Sequence, residues 1–165
     1  MTLVSRVQLD FVKQILAEFT RSSSLMRPVA LLQAQHVAIV VTLRAVGHVL
    51  KDVDANTPDK RAWLAQRWPN WQAEPIFSGF IKRDRDNLLK EFRGFLDLRT
   101  TAFGSPAVVA DPTTPEGVAF HVGFEPDELL TTDGRKAVPL MREAVAFWDR
   151  HLTEAEQAFA SLTHA

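Results

Sequence analysis

The C-terminal stretch most constrains what this chain can fold into. Val138, Met141, Val145, Trp148, Leu152, Ala155, Phe159 and Leu162 recur in alternating steps of three and four. Such spacing is an a/d seam, here sustained over about three heptads. Only a helix packed along its whole length against other helices buries a seam of this kind. Arg150, His151, Glu154 and Glu156 fall off the seam and are expected in solvent.

Partner helices are legible upstream. Val4, Val7, Phe11, Val12, Ile15, Leu16 and Phe19 predict a first helix over Leu3–Phe19. The run Thr20–Ser24 favours turns and caps and ends it. Pro28 suits the first turn of a second helix, predicted to run to about Val53. Thr57 as N-cap, Pro58 as first residue and Asp59 at the positive dipole end open a third helix. Pro69 is expected to close it, and Trp63, Leu64, Trp68 and Trp71 to cover one end of the core. Phe77, Ile81, Leu88, Phe92 and Phe95 share one face of a fourth helical segment, from Pro75 to about Leu98.

Between the fourth and last helices the pattern changes. Prolines and glycines accumulate, and Val118, Phe120, Val122 and Phe124 alternate as on a half-buried strand. The segment "PAVVA" is placed to pair with it across "DPTTPEG", and His121 falls on the solvated side. The expected fold is all-α, a four- or five-helix up-and-down bundle with a small β-hairpin insertion at about 100–132. With no internal repeat and no low-complexity linker, residues 1–165 read as one domain.

Composition excludes several function classes. The chain has no cysteine, so disulfides, thiolate metal sites and a cysteine nucleophile are ruled out. That fits a cytoplasmic setting. No apolar segment with a small-residue cleavage site follows "MTLVSRVQLDFVKQ", so no signal peptide is expected. The net charge of -1 gives no bulk attraction to DNA or to an anionic membrane. Leu31–Leu50 has the length of a membrane span, yet Gln33, Gln35, His36, Arg44 and His48 interrupt it. A helix of a bundle core is the better reading.

Those interruptions are ordered. At about 100° per residue, Gln33, His36, Val40, Arg44, Gly47, His48 and Lys51 fall in one sector of an otherwise apolar helix. The stripe is either a solvent face or the lining of a groove or subunit interface. Gly47 costs about 1 kcal/mol against alanine in a helix, and close approach of another helix or a ligand is one reason to keep it. On the fourth segment, Asp84 and Arg85 lie near the centre of the apolar sector, flanked by Asn87 and Glu91. Charges so placed require partners from other helices or an opening into a polar cavity. No His-Glu-x-x-His pair, nucleophile elbow or phosphate-cradling glycine loop is present, and the five histidines are scattered. No metal or cofactor is expected. The candidate ligand-binding residues are therefore His36, Arg44, His48, Asp84, Arg85 and Asn87, and any catalytic role would fall to Arg44, His48, Asp84 or Arg85.

With "TLRAVGHVL" on one long helix and "FIKRDRDNLLKEF" on another, the chain resembles the HEPN superfamily of small α-helical proteins. The resemblance covers roughly Leu31 to Leu98 and the last helix. It implies an up-and-down bundle that forms homodimers, and an active form that is a metal-independent ribonuclease of toxin or defence type. The family's hallmark is an arginine, then four to six residues, then a histidine. Here Arg44 and His48 have three residues between them, and Arg85-Asp86-Asn87 matches only the arginine end. The resemblance thus implies a catalytically silent relative that binds RNA, a nucleotide or a protein partner. Were it active, a histidine would move a proton at the ribose 2′-hydroxyl and an arginine would stabilise the phosphorane. The remaining alternative is an interaction bundle whose charged residues are structural.

Overall fold

Apolar residues at three- and four-residue steps form the helices that their spacing predicts. The computed structural model describes residues 2–21, 29–91, 96–97, 107–109, 119–121 and 129–163. Helix dominates them, and the fold is all-α. α1 spans Val4–Thr20, α2 Val29–Val49, α3 Pro58–Ala73, α4 Arg83–Asp86 and α5 Ala137–Thr163. Three π-helical turns, Leu50–Asp54, Phe77–Lys82 and Asn87–Glu91, continue or flank these helices.

The core lies where α1, α2 and α5 meet. α1 contributes Leu9, Val12, Leu16 and Phe19, and α2 contributes Ile39, Val40, Leu43 and Val46. α5 contributes Val138, Met141, Phe147, Trp148, Leu152 and Phe159. Ala30–Asp54 has the length and mean hydropathy, 1.3, of a membrane span, but its apolar side is spent on this core. Arg6 to Glu156 at 3.0 Å and Lys13 to Asp149 at 2.8 Å fasten α1 on α5.

Two helix starts have a clear physical cause. α3 begins as its sequence predicts, with Thr57 accepting a hydrogen bond from the Lys60 N–H and Pro58 following. α1 is different, because Leu3 at its N-cap position offers no side-chain acceptor. Asp54, at the end of the π-helical turn after α2, supplies it instead. Its carboxylate accepts from Val4 N at 2.8 Å, Ser5 N at 3.0 Å and the Ser5 hydroxyl.

Two expected boundaries are corrected. Pro69 does not close the third helix, which runs on to Ala73 with Pro69 inside it. Pro69 itself is exposed, and burial of Trp71 holds the last turn in place. The fourth segment does not stay helical to Leu98. Leu96–Asp97 is a strand, β1, paired antiparallel with β4, Leu130–Thr131. The Gln33 amide fixes this end, accepting from Leu96 N at 3.1 Å and donating to Leu96 O at 3.0 Å. β2, Ala107–Val109, pairs antiparallel with β3, Ala119–His121, in the register Val108 to Phe120. The rest of the expected insertion and the His121 side chain lie outside the described residues.

Candidate functional site

The polar stripe of α2 is not a uniform solvent face. His36 is 0 % exposed and Val40 and Gly47 are buried, whereas His48 and Lys51 are exposed. Gly47 marks the change. A Cβ built there would lie 2.8 Å from the Cη2 of both Trp148 and Trp68, so the missing side chain lets α3 and α5 press indoles against α2. Close approach of helices accounts for this glycine.

Arg44, one turn before His48, is half-buried. Its guanidinium lies 5.2 Å from the centre of the Phe77 ring, a cation–π contact. The buried Nη1 has no hydrogen-bond acceptor, and no carboxylate stands within ion-pair distance among the described residues. Its nearest charged neighbours are Arg85, which repels it, and more weakly Asp86. Burial foremost, then Arg85, pushes the Arg44 pKa down. Arg85 is half-buried and donates to Asp86 at 2.8 Å, and Asp86 also takes Lys90 at 3.2 Å.

His48 stands within electrostatic reach of Arg44, Arg85, Lys51 and Asp52. Partial desolvation first, then Arg44, lowers its pKa from the ordinary histidine value, which favours the neutral ring near pH 7. Arg44, His48 and Arg85 are therefore within electrostatic reach of one another, and the two guanidiniums make this face cationic.

Asp84 leaves that group. It is 4 % exposed and accepts from Arg135 Nη2 at 3.0 Å on both oxygens. Arg135 also donates to Asp133 at 2.7 Å and to the Gly79 carbonyl at 3.2 Å. The turn is closed by Gly134 at φ +79° and by the Thr131 hydroxyl on Asp133. Burial raises the Asp84 pKa although Arg135 opposes it. Asp84 is thus bound up in a clamp between α4 and the turn before α5. The expectation that Asp84 meets a partner holds, though that partner sits on a turn and not on a helix. Asn87 lies half-buried in the π-helical turn after α4. His36 is enclosed in the core, away from any surface that a ligand reaches without rearrangement.

His151 corrects another expectation. It is 6 % exposed, not solvated, because its ring stacks 4.3 Å from Trp71 and bonds Glu74 at 2.8 Å. Being buried, it has a lowered pKa, against the pull of Glu74.

Beside the cationic group lies a cleft of about 580 Å³ between the end of α2 and α3, whose lining includes Lys51, Leu64 and Trp68. Lys51 Nζ is 5.5 Å from the Trp68 ring centre. The sequence gives Lys51 as part of the stripe and Trp68 as core cover, but only the fold joins them. Among the described residues no group of histidines and carboxylates is arranged to hold a metal ion.

No known relative fixes the chemistry. No family model, curated protein or solved structure matches this chain. What the arrangement can do follows from its own residues. Among the described residues, Arg85 shares the Asp86 carboxylate with Lys90, Arg44 has an unused buried donor and no carboxylate of its own, and His48 stands one turn along α2 from Arg44. Such a group attracts and orients an anion, phosphate above all.

Proposed function

We propose that this chain is a HEPN-like helical module that binds a phosphate-bearing ligand, RNA or a nucleotide, on the face shared by Arg44, His48 and Arg85. In this reading the helices form an up-and-down bundle with a β-hairpin insertion at about 100–132, and the protein works in the cytoplasm as a homodimer. Arg44 carries the binding reading. A half-buried guanidinium held, among the described residues, only by the Phe77 ring, beside a second arginine and with a buried N–H that meets no acceptor, is costly to the fold. An anionic ligand on the accessible part of the guanidinium supplies the missing charge. The exposed apolar stripe Val4, Val7 and Phe11 on α1 supports the homodimer.

The binding reading is one without catalysis, because no histidine follows an arginine at the HEPN spacing. The ribonuclease alternative draws on one observation. The neutral ring of His48 is favoured near pH 7 within electrostatic reach of two arginines, as for a general base at a 2′-hydroxyl.

One experiment addresses both. Binding of a labelled RNA is followed by fluorescence anisotropy over a salt series, in chelator, with cleavage products resolved from the same samples. Wild type is expected to bind, with affinity falling as salt rises, and Arg44→Gln and Arg85→Gln to lose most of that binding. Equal affinity in folded wild type and both variants would sink the binding reading. Cleavage that disappears in His48→Ala would replace it with the ribonuclease.

A further inference from the structure

We infer that the cleft beside Trp68 seats one unpaired base of a single-stranded RNA whose phosphates lie on Arg44 and Arg85. This rests on the phosphate-binding reading above and names the rest of its ligand. Leu64, Ala65, Trp68 and Ala55 give the cleft apolar walls, and Lys51 and Asp52 stand beside them. Its volume of about 580 Å³ is that of a small-molecule site, ample for a base and its ribose.

Three features favour a base over an aliphatic ligand. The first is the indole. Trp68 is pinned by Gly47, Trp148, Trp71 and Phe77, so it is a rigid platform and stacking on it costs little side-chain entropy. The second is a freed acceptor. Pro69 has no N–H, so the Ala65 carbonyl, one turn back on the cleft wall, loses its helical donor. A base edge with an N–H group can fill that place. The third is charge. Lys51 lies over the Trp68 ring, where it meets the phosphate of a stacked nucleotide.

Continuity with the cationic group comes from His48, within electrostatic reach of Lys51 and Asp52 as well as of Arg44 and Arg85. Arg44, His48 and Lys51 follow one another at single-turn spacing along α2 and the π-helical turn after it, so the phosphate and base positions lie on either side of His48. A cationic track next to an aromatic platform is how single strands are held without sequence reading. A single strand is favoured over a duplex, since a paired base must first be unpaired and unstacked before it enters a cleft.

The test separates base from phosphate. Affinities of the full chain for a short single-stranded RNA and for inorganic tripolyphosphate are measured side by side. Ala65 is exposed, so Ala65→Leu fills the cleft without disturbing the core. It is expected to weaken RNA binding roughly tenfold, the loss of one stacked base, and to leave tripolyphosphate binding unchanged. Trp68→Leu should weaken RNA similarly, and Trp68→Phe should restore most of it. Unchanged RNA affinity in folded Ala65→Leu overturns the base seat but leaves the phosphate reading intact. Wild type that binds neither ligand overturns both.

Discussion

Arg44, in the polar stripe of α2, and Asp84, in the apolar sector of the fourth segment, are two inward-placed charges with opposite fates. Asp84 is enclosed and doubly bonded to Arg135, which makes it a structural residue. Arg44 is half-buried with a donor unused. Their substitutions should therefore move stability in opposite directions. Arg135→Met leaves the buried carboxylate only Arg83 at 3.5 Å and should cost about 3 kcal/mol in urea unfolding, part of it recovered when Asp84→Asn is added. Arg44→Met removes an unmatched cation and should leave stability unchanged or raise it by about 1 kcal/mol, while RNA binding is lost. A large destabilisation by Arg44→Met would mean that the guanidinium serves the fold. The sequence shows that Asp84 sits in an apolar sector and Arg44 in a polar stripe, because periodicity alone reveals that. It cannot show which one is paired, since Arg135 lies 51 positions from Asp84 on a turn that no helical pattern announces.

At the scale of elements, helix existence was legible and helix ends were not. α1, α2 and α5 are strongly periodic, and their predicted spans agree with the structure to within a few residues. The segment around Asp84 and Arg85 departs further, because π-helical turns on both sides of α4 break the angular step that a helical wheel assumes. Pro69 misleads for another reason. A proline forfeits one backbone bond, and the packing of Trp71 beyond it outweighs that loss. Gly47 was legible as a point of close approach, and the indoles that approach were not. Gly47→Ala gains about 1 kcal/mol of helix propensity. Yet its Cβ would fall 2.8 Å from the Cη2 of buried Trp148, so a net loss of about 1 to 2 kcal/mol in thermal unfolding is expected. An unchanged or raised Tm would show that the two tryptophans give way.

For the whole molecule, pH and self-association are the accessible readouts. The pKa values of His48 and His151 are both depressed by burial. The unfolded chain, with histidines near their ordinary 6.5, then binds more protons than the folded one. The resulting stability is present in full above about pH 6.5 and is lost as pH falls through the folded-state values. His151→Gln keeps an N–H for Glu74 but does not titrate, so its urea midpoint should fall less steeply on acidification than that of wild type. Identical slopes would remove His151 from this account. Self-association through the apolar stripe of α1 is checked by light scattering: Phe11→Lys should convert a dimer to a monomer without loss of helicity. A monomeric wild type would dispose of the homodimer.

The cap that Asp54 places on α1 has a consequence for how the chain is made. α1 is synthesised before α2, yet the acceptors for its opening N–H groups come from about 50 positions later. Until that carboxylate has left the ribosome, nothing in the neighbouring sequence holds the first turn closed. The beginning of the fold is therefore completed only after its second helix exists, and α1 and α2 are delivered as a pair.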